Sequence, residues 1–168
     1  MALAEENSRL AYIALGANLG DPELTFACVV PRLQALSRTR IVTSQWMRSR
    51  PVNCPPGSAD FLNGVAVILP FVGETPEKLL EKLQALEVEF GRTPKKELNE
   101  ARPLDLDLIA FGNEQRESPT LTLPHPRAKE REFVLRPLAE IAPDLVLPGQ
   151  DKNVLELLAK LDSDAVRT

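Results

Sequence analysis

Two aspartates separated by a single residue are the most chemically suggestive feature of this chain. They lie in the run Arg102-Pro103-Leu104-Asp105-Leu106-Asp107-Leu108-Ile109-Ala110-Phe111-Gly112. Its alternation predicts a β-strand with Leu104, Leu106, Leu108 and Ala110 on one face and Asp105, Asp107, Ile109 and Phe111 on the other. Same-face neighbours on a strand are roughly 6.5–7 Å apart, so two carboxylates placed this way repel by about 2–2.5 kcal/mol at an effective dielectric near 20. Either the pair sits on a solvated acidic end of the strand, or it faces positive charge. Two hard oxygen ligands that leave coordination positions open suit Mg²⁺ shared with a phosphate-bearing substrate.

The surroundings of the pair add to the second reading. Residues 92–101 carry Arg92, Lys95, Lys96, Glu97 and Glu100 with little apolar content, and they run directly into Arg102. A charge run is usually a solvated face, yet two arginines bracketing two acids also suit a triphosphate. Upstream, Gln84 and Glu87 lie one turn apart on the flank of a predicted helix, where by themselves they would form a solvated edge. Downstream, His125 is the only histidine, set between Pro124 and Pro126 and close to Arg127, Lys129 and Arg131. It is either a structural imidazole or a phosphate contact. Asn63, flanked by Phe61 and Leu62, is either bonded to backbone or reads a polar heterocycle.

These residues need a sheet and helices to hold them. A first strand is expected at Leu10–Gly16, broken by Gly16-Ala17-Asn18-Leu19-Gly20, a tight turn that matches neither common phosphate-loop spacing. Asp21, Pro22 and Glu23 then start a helix running to about Ser37, with a kink or early break at Pro31. Further strands are expected at Arg40–Met47 and Phe61–Phe71, joined through the proline-stiffened loop 49–58. Thr75-Pro76-Glu77 opens a second helix with the stripe Leu79, Leu80, Leu83, Leu86 and Phe90, ending at Gly91. After the Asp-x-Asp strand come a short strand at Thr120–Leu123, a helix at Phe133–Ile141 with Phe133, Val134, Leu138 and Ile141 inward, and a last helix at Val154–Leu161 capped by Asn153.

A chain of 168 residues is the size of one domain and needs no disulfide or metal to complete a core. A single domain is expected, with its core at about 10–148 and a C-terminal helix at 153–161. A net charge of -4 argues against nucleic acid as a partner, since phosphate backbones are gripped by a cationic surplus. Cys28 and Cys54 show no paired spacing, the N-terminal residues are acidic and polar, and no run of about 18 apolar residues occurs. A cytoplasmic protein without membrane contact is expected.

The segments AYIALGANLGD, SADFLNGV, LEVEFGR, RPLDLDLIAFG, LTLPHP and REFVLRPLAEIAPDL, in this order, resemble the 6-hydroxymethyl-7,8-dihydropterin pyrophosphokinases of folate biosynthesis. The resemblance spans about Leu10 to Pro148. It implies an α+β fold, a ferredoxin-like antiparallel sheet in a three-layer αβα arrangement, and transfer of pyrophosphate from ATP to the pterin with release of AMP. It implies that Asp105 and Asp107 hold two Mg²⁺ ions. Arg92 and Arg102 correspond to the arginines at the ends of a catalytic loop. Gln84, Glu87, Leu108, Thr122, His125 and Arg131 correspond to the ATP site, and Ser49, Pro51, Val52, Phe61, Asn63 and Phe133 to a pterin pocket where two aromatic rings sandwich the heterocycle. The implied partners are these two small molecules, and the implied state is a monomer. Asn99, Glu100 and Ala101 stand where the family commonly has an aromatic, a glycine and a proline. Two other readings are therefore a catalytically weak ferredoxin-like binding module and another two-metal nucleotide-dependent transferase.

Overall fold

The computed structural model describes residues 9–50, 55–91 and 103–166. The first strand, β1 (Ala11–Ala17), leads into helix α1 (Pro22–Gln34). Two short strands, β2 (Val42–Thr43) and β3 (Met47–Ser49), precede β4 (Phe61–Ile68). Helix α2 (Pro76–Glu89) is followed by β5 (Asp105–Phe111). A two-stranded ribbon, β6 (Arg116–Glu117) with β7 (Thr122–Leu123), comes before helices α3 (Glu132–Ile141) and α4 (Val154–Val166).

The main sheet is antiparallel in the order β2-β4-β1-β5, with β3 also on β4. β1, the hydrogen-bonded centre, alternates without charge: Ala11, Ile13, Leu15 and Ala17 join one core, while Tyr12 and Ala14 join the other. The first core is closed by Phe26, Val29 and Leu33 of α1 and Leu79, Leu83 and Leu86 of α2. The second is closed by Val134, Leu135 and Leu138 of α3 and Val154, Leu157 and Leu158 of α4. Helices thus cover both faces of an antiparallel sheet, the expected three-layer α+β arrangement.

Several elements depart from the sequence expectation, each for a visible reason. β1 continues through Gly16 to Ala17, because Gly16 and Ala17 pair with Asn63 and Leu62. Helix α1 contains Pro31 and ends at Gln34, short of Ser37. Ser37 instead joins the sheet end, its Oγ accepting the Leu69 amide at 3.0 Å. The expected strand 40–47 is split. Four steps from Thr43 to Met47 are matched by three on β4, from Ala66 to Asn63. Trp46 in this excess turns to the α1 side, edge-on to Phe26 with ring centroids 4.9 Å apart. Met47 and Ser49 then face the other layer. β4 stops at Ile68, with Pro70 in an isolated bridge to Ser37. In α3, Leu135 is fully buried and Phe133 only half buried. The last helix extends to Val166 behind a reciprocal cap: Asn153 Oδ1 accepts the Glu156 amide at 2.8 Å, and Glu156 Oε1 accepts the Asn153 amide at 3.0 Å.

The β5 alternation is also interrupted. Ile13 pairs with Leu108 but Tyr12 with Ala110, which leaves Ile109 as an extra residue. Leu104, Leu106 and Leu108 stay in the first core as expected, but Ile109 and Ala110 both enter the second and Phe111 returns to the first. No helix among the described residues is long and apolar enough to cross a membrane.

The Trp46 ring lies so close over Gly64 that a Cβ there would enter the ring edge. Gly64→Ala is expected to destabilise the fold by about 1–3 kcal/mol, read from the denaturant midpoint. An unchanged midpoint would show that the indole is free to move aside.

Candidate active site

The floor of the site comes from two neighbouring rows of the sheet. Gly16 lies between Asn63 on β4 and Asp105 on β5, and Ala14 in the next row lies between Val65 and Asp107. Because the middle strand contributes only a hydrogen and a methyl group here, the sheet surface is hollow between Asn63 and the acids. A cleft of about 660 Å³ opens over it, within the usual size of small-molecule sites. Met47 and Ser49 of β3, Phe61 of β4 and the start of α3, Arg131 to Val134, form its walls.

Within this cleft the structure brings together Ser49, Phe61, Asn63, Asp105, Asp107, Arg131 and Phe133 of the sequence-predicted residues. Asn63 is buried and its orientation is fixed. Its Nδ2 donates to Ser49 Oγ at 2.7 Å and to the carbonyls of Met47 and Phe61, each at 3.4 Å. Carbonyls only accept, so the amide nitrogen must point this way. A methyl at Gly16 would stand 3.8 Å from Asn63 Oδ1 and 3.9 Å from the Asp105 Cβ, ordinary contact distances that show how directly these groups border the floor. The Arg131 guanidinium lies 5.5 Å from the centroid of the Phe133 ring, a cation–π contact that joins two walls of the cleft. Asp105 and Asp107 are both half buried on the cleft side. No cluster of three or more potential metal-ligating side chains occurs among the described residues. A cation held by these two acids would complete its shell from a ligand or water.

Gln84, Glu87, Leu108, Thr122 and His125 do not line that cleft. Glu87 and His125 instead meet the outer edge of β5. Gln84 is exposed, as a helix flank would be, but Glu87 is buried. Its Oε2 accepts the Leu106 amide at 2.8 Å. Leu108 is buried in the core beneath the strand, and Thr122 is exposed on β7. His125 is seated by the irregularity in β5: its amide donates to the carbonyl of the extra residue, Ile109, at 2.8 Å. Arg92, Arg102, Pro51 and Val52 lie outside the described residues.

The His125 ring accepts the Arg127 amide through Nδ1 at 3.3 Å, which places the proton of the neutral ring on Nε2. Burial pushes its pKa below the ordinary value of 6.5, the Arg131 charge pushes the same way, and Asp105 opposes them. Residues not assigned to a site from sequence also border the cleft: Gly16, Met47, Arg48 and Arg50, together with Arg127, which the sequence offers only as a basic neighbour of His125. Gly16 had been read as a strand breaker, and only its pairing partners reveal its position. The arginines adjoin predicted residues, which was the available signal.

The family model described as 7,8-dihydro-6-hydroxymethylpterin-pyrophosphokinase matches residues 12–143. A protein of Haemophilus influenzae named 2-amino-4-hydroxy-6-hydroxymethyldihydropteridine pyrophosphokinase is 43% identical over 140 residues, covering 83% of this chain and 85% of its own. The Synechocystis protein of the same name is 38% identical over 157 residues, covering 93% of this chain and 78% of its own. The crystal structure of wild-type Plasmodium falciparum HPPK-DHPS superposes with a TM-score of 0.71 at 14% identity over 95% of this chain, showing the shared fold. This chain spans 42% of that one.

With its single histidine, the protein reports the His125 titration directly through the ring Cε1 proton in NMR. The midpoint is expected below 6.5, with the unfolded chain taking up the proton first as pH falls. Folding stability should therefore be lost as pH drops from the ordinary histidine range through that midpoint, and His125→Gln should flatten this part of the profile. A midpoint at or above 6.5 would contradict the buried, cation-flanked environment. The match over most of the sequence, the identity to these relatives and the shared fold together establish that this chain belongs to the 6-hydroxymethyl-7,8-dihydropterin pyrophosphokinase family.

Proposed function

We propose that this protein transfers the β,γ-pyrophosphoryl group of ATP to 6-hydroxymethyl-7,8-dihydropterin in a Mg²⁺-dependent reaction of folate biosynthesis, releasing AMP. The observation that carries this reading is the position of Asp105 and Asp107. They border an aromatic, amide-bearing cleft on one side, and they belong to the same strand whose outer edge meets Glu87 and His125.

The cleft suits the flat acceptor. Phe61 and Phe133 offer ring faces, and Asn63, with its nitrogen committed to Ser49 and two carbonyls, offers its Oδ1 to a donor on the heterocycle. Pro51 and Val52 complete the acceptor side in this reading. The nucleotide takes the β5 edge, where Gln84, Glu87, Leu108, Thr122, His125 and Arg131 are its neighbours. His125, neutral at pH 7 and protonated on Nε2, donates to a phosphate oxygen. Asp105 and Asp107 would hold two Mg²⁺ ions, which would supply neutralising charge to the triphosphate oxygens. Arg92 and Arg102 stabilise the charge that develops on the transferred group. The pterin hydroxymethyl oxygen attacks the β-phosphorus as the opposite bond, from Pβ to the oxygen of the departing AMP, breaks, and the hydroxyl proton passes to water. The protein's contribution is alignment and preorganised charge. It acts in the cytoplasm as a monomer on small molecules.

Incubation with ATP, Mg²⁺ and the hydroxymethyl dihydropterin should give AMP in step with pterin consumption. Asp107→Ala should lower kcat by at least about a hundredfold, the scale of losing one preorganised electrostatic contact. AMP formation unaffected by the substitution would remove the metal assignment. Binding of both substrates without AMP would point to a module that lacks turnover.

A further inference from the structure

Among the described residues β5 is the edge of the sheet, with β1 paired on one of its two sides. On an antiparallel edge strand alternate residues turn both backbone polar groups outward. Leu106, whose amide goes to Glu87 rather than to β1, is one of these. Asp105 and Asp107 flank it and are paired with Gly16 and Ala14. The Leu106 amide is covered by α2, with Leu86 and Leu106 in the same core. It therefore needs an acceptor from protein. Glu87, one residue beyond Leu86 and only 7% exposed, supplies it. A second outer tether of β5 is the Ile109 carbonyl on the His125 amide. The strand is thus held between the two acids, at Leu106, and again just past Asp107, at Ile109.

The geometry points to Glu87 as a positioning residue for the Asp105–Asp107 pair: by holding the amide between them, it fixes their spacing and direction and so sets their affinity for a nucleotide-bound divalent cation. This role differs from a direct nucleotide contact, and it rests on the metal reading proposed above. Groups behind metal ligands typically alter metal affinity by 10–100-fold when lost.

The test compares wild type with Glu87→Ala, Glu87→Asp, Glu87→Gln and Asp107→Asn. The quantities measured are Kd for preformed Mn²⁺–ATP, followed by water proton relaxation, and Kd for metal-free ATP. Glutamine keeps an oxygen for the amide without the charge, whereas aspartate keeps the charge but withdraws the oxygen by one bond. Glu87→Ala and Glu87→Asp should weaken Mn²⁺–ATP at least about tenfold, with a clearly smaller loss for metal-free ATP, and Glu87→Gln should remain close to wild type. Exchange of the Leu106 amide should accelerate in the Ala and Asp variants alone. If Glu87→Ala does not fold, Glu87→Asp decides the matter. Unaltered Mn²⁺–ATP affinity in Glu87→Asp, or a Gln variant as impaired as the Asp variant, would overturn the proposal. An Asp107→Asn variant with undiminished Mn²⁺–ATP affinity would instead show the metal reading itself to be wrong, and the role of Glu87 would fall with it.

Discussion

Two like charges on one face of an edge strand constrain everything around them. The opposite face of β5 is leucine at 104, 106 and 108, all buried in the core with α1 and α2. Rotating the strand to give both acids to bulk water would expose those leucines, and each buried leucine stabilises by about 1.5–3 kcal/mol. Together the three outweigh the roughly 2–2.5 kcal/mol repulsion between the carboxylates. The apolar side fixes where the acids point, and their mutual repulsion is what a bound cation would relieve.

The two faces of the sheet are packed for different purposes. Under α1 and α2, full-sized side chains such as Ile13, Leu15, Phe26 and Leu33 fill the space completely. On the other face, α3 and α4 cover only part of the surface. Where they end, β1 presents Ala14 and Gly16 in place of bulk, and the cleft follows from this local shortage of side-chain volume. Two departures from regular pairing complete the site. The extra residue between Thr43 and Met47 brings Ser49 round to Asn63, and the extra residue at Ile109 leaves a carbonyl outward for His125.

Element types and the layer arrangement were legible in sequence because periodicity and capping reflect local physics. Asp21, Thr75 and Asn153 cap the helices they were expected to cap. The two faces of Leu104–Leu108 were also correct. What was not legible depended on pairing between strands. Nothing local says that Ile109 is an extra residue, so Ala110 and Phe111 were assigned to the wrong faces. The continuous strand expected at 40–47 failed for the same reason, as did the reading of Gly16 as a break. Glu87 illustrates the limit most clearly: its spacing from Gln84 predicts a solvated helix flank, yet an unpaired amide 19 residues later makes it a buried acceptor. Asn63 stands out locally as an amide in an apolar strand, whereas Ser49, Phe61 and Phe133 were found through family resemblance, since the cleft residues come from three separate segments that the fold brings together.

If Asp105 and Asp107 hold cations delivered with a nucleotide, crystals grown with Mn²⁺ and a non-hydrolysable ATP analogue should show anomalous density within coordination distance of both carboxylates and of the phosphate oxygens. Carboxylates turned to solvent, or engaged by lysine side chains with no anomalous density beside them in a nucleotide-bound crystal, would contradict it.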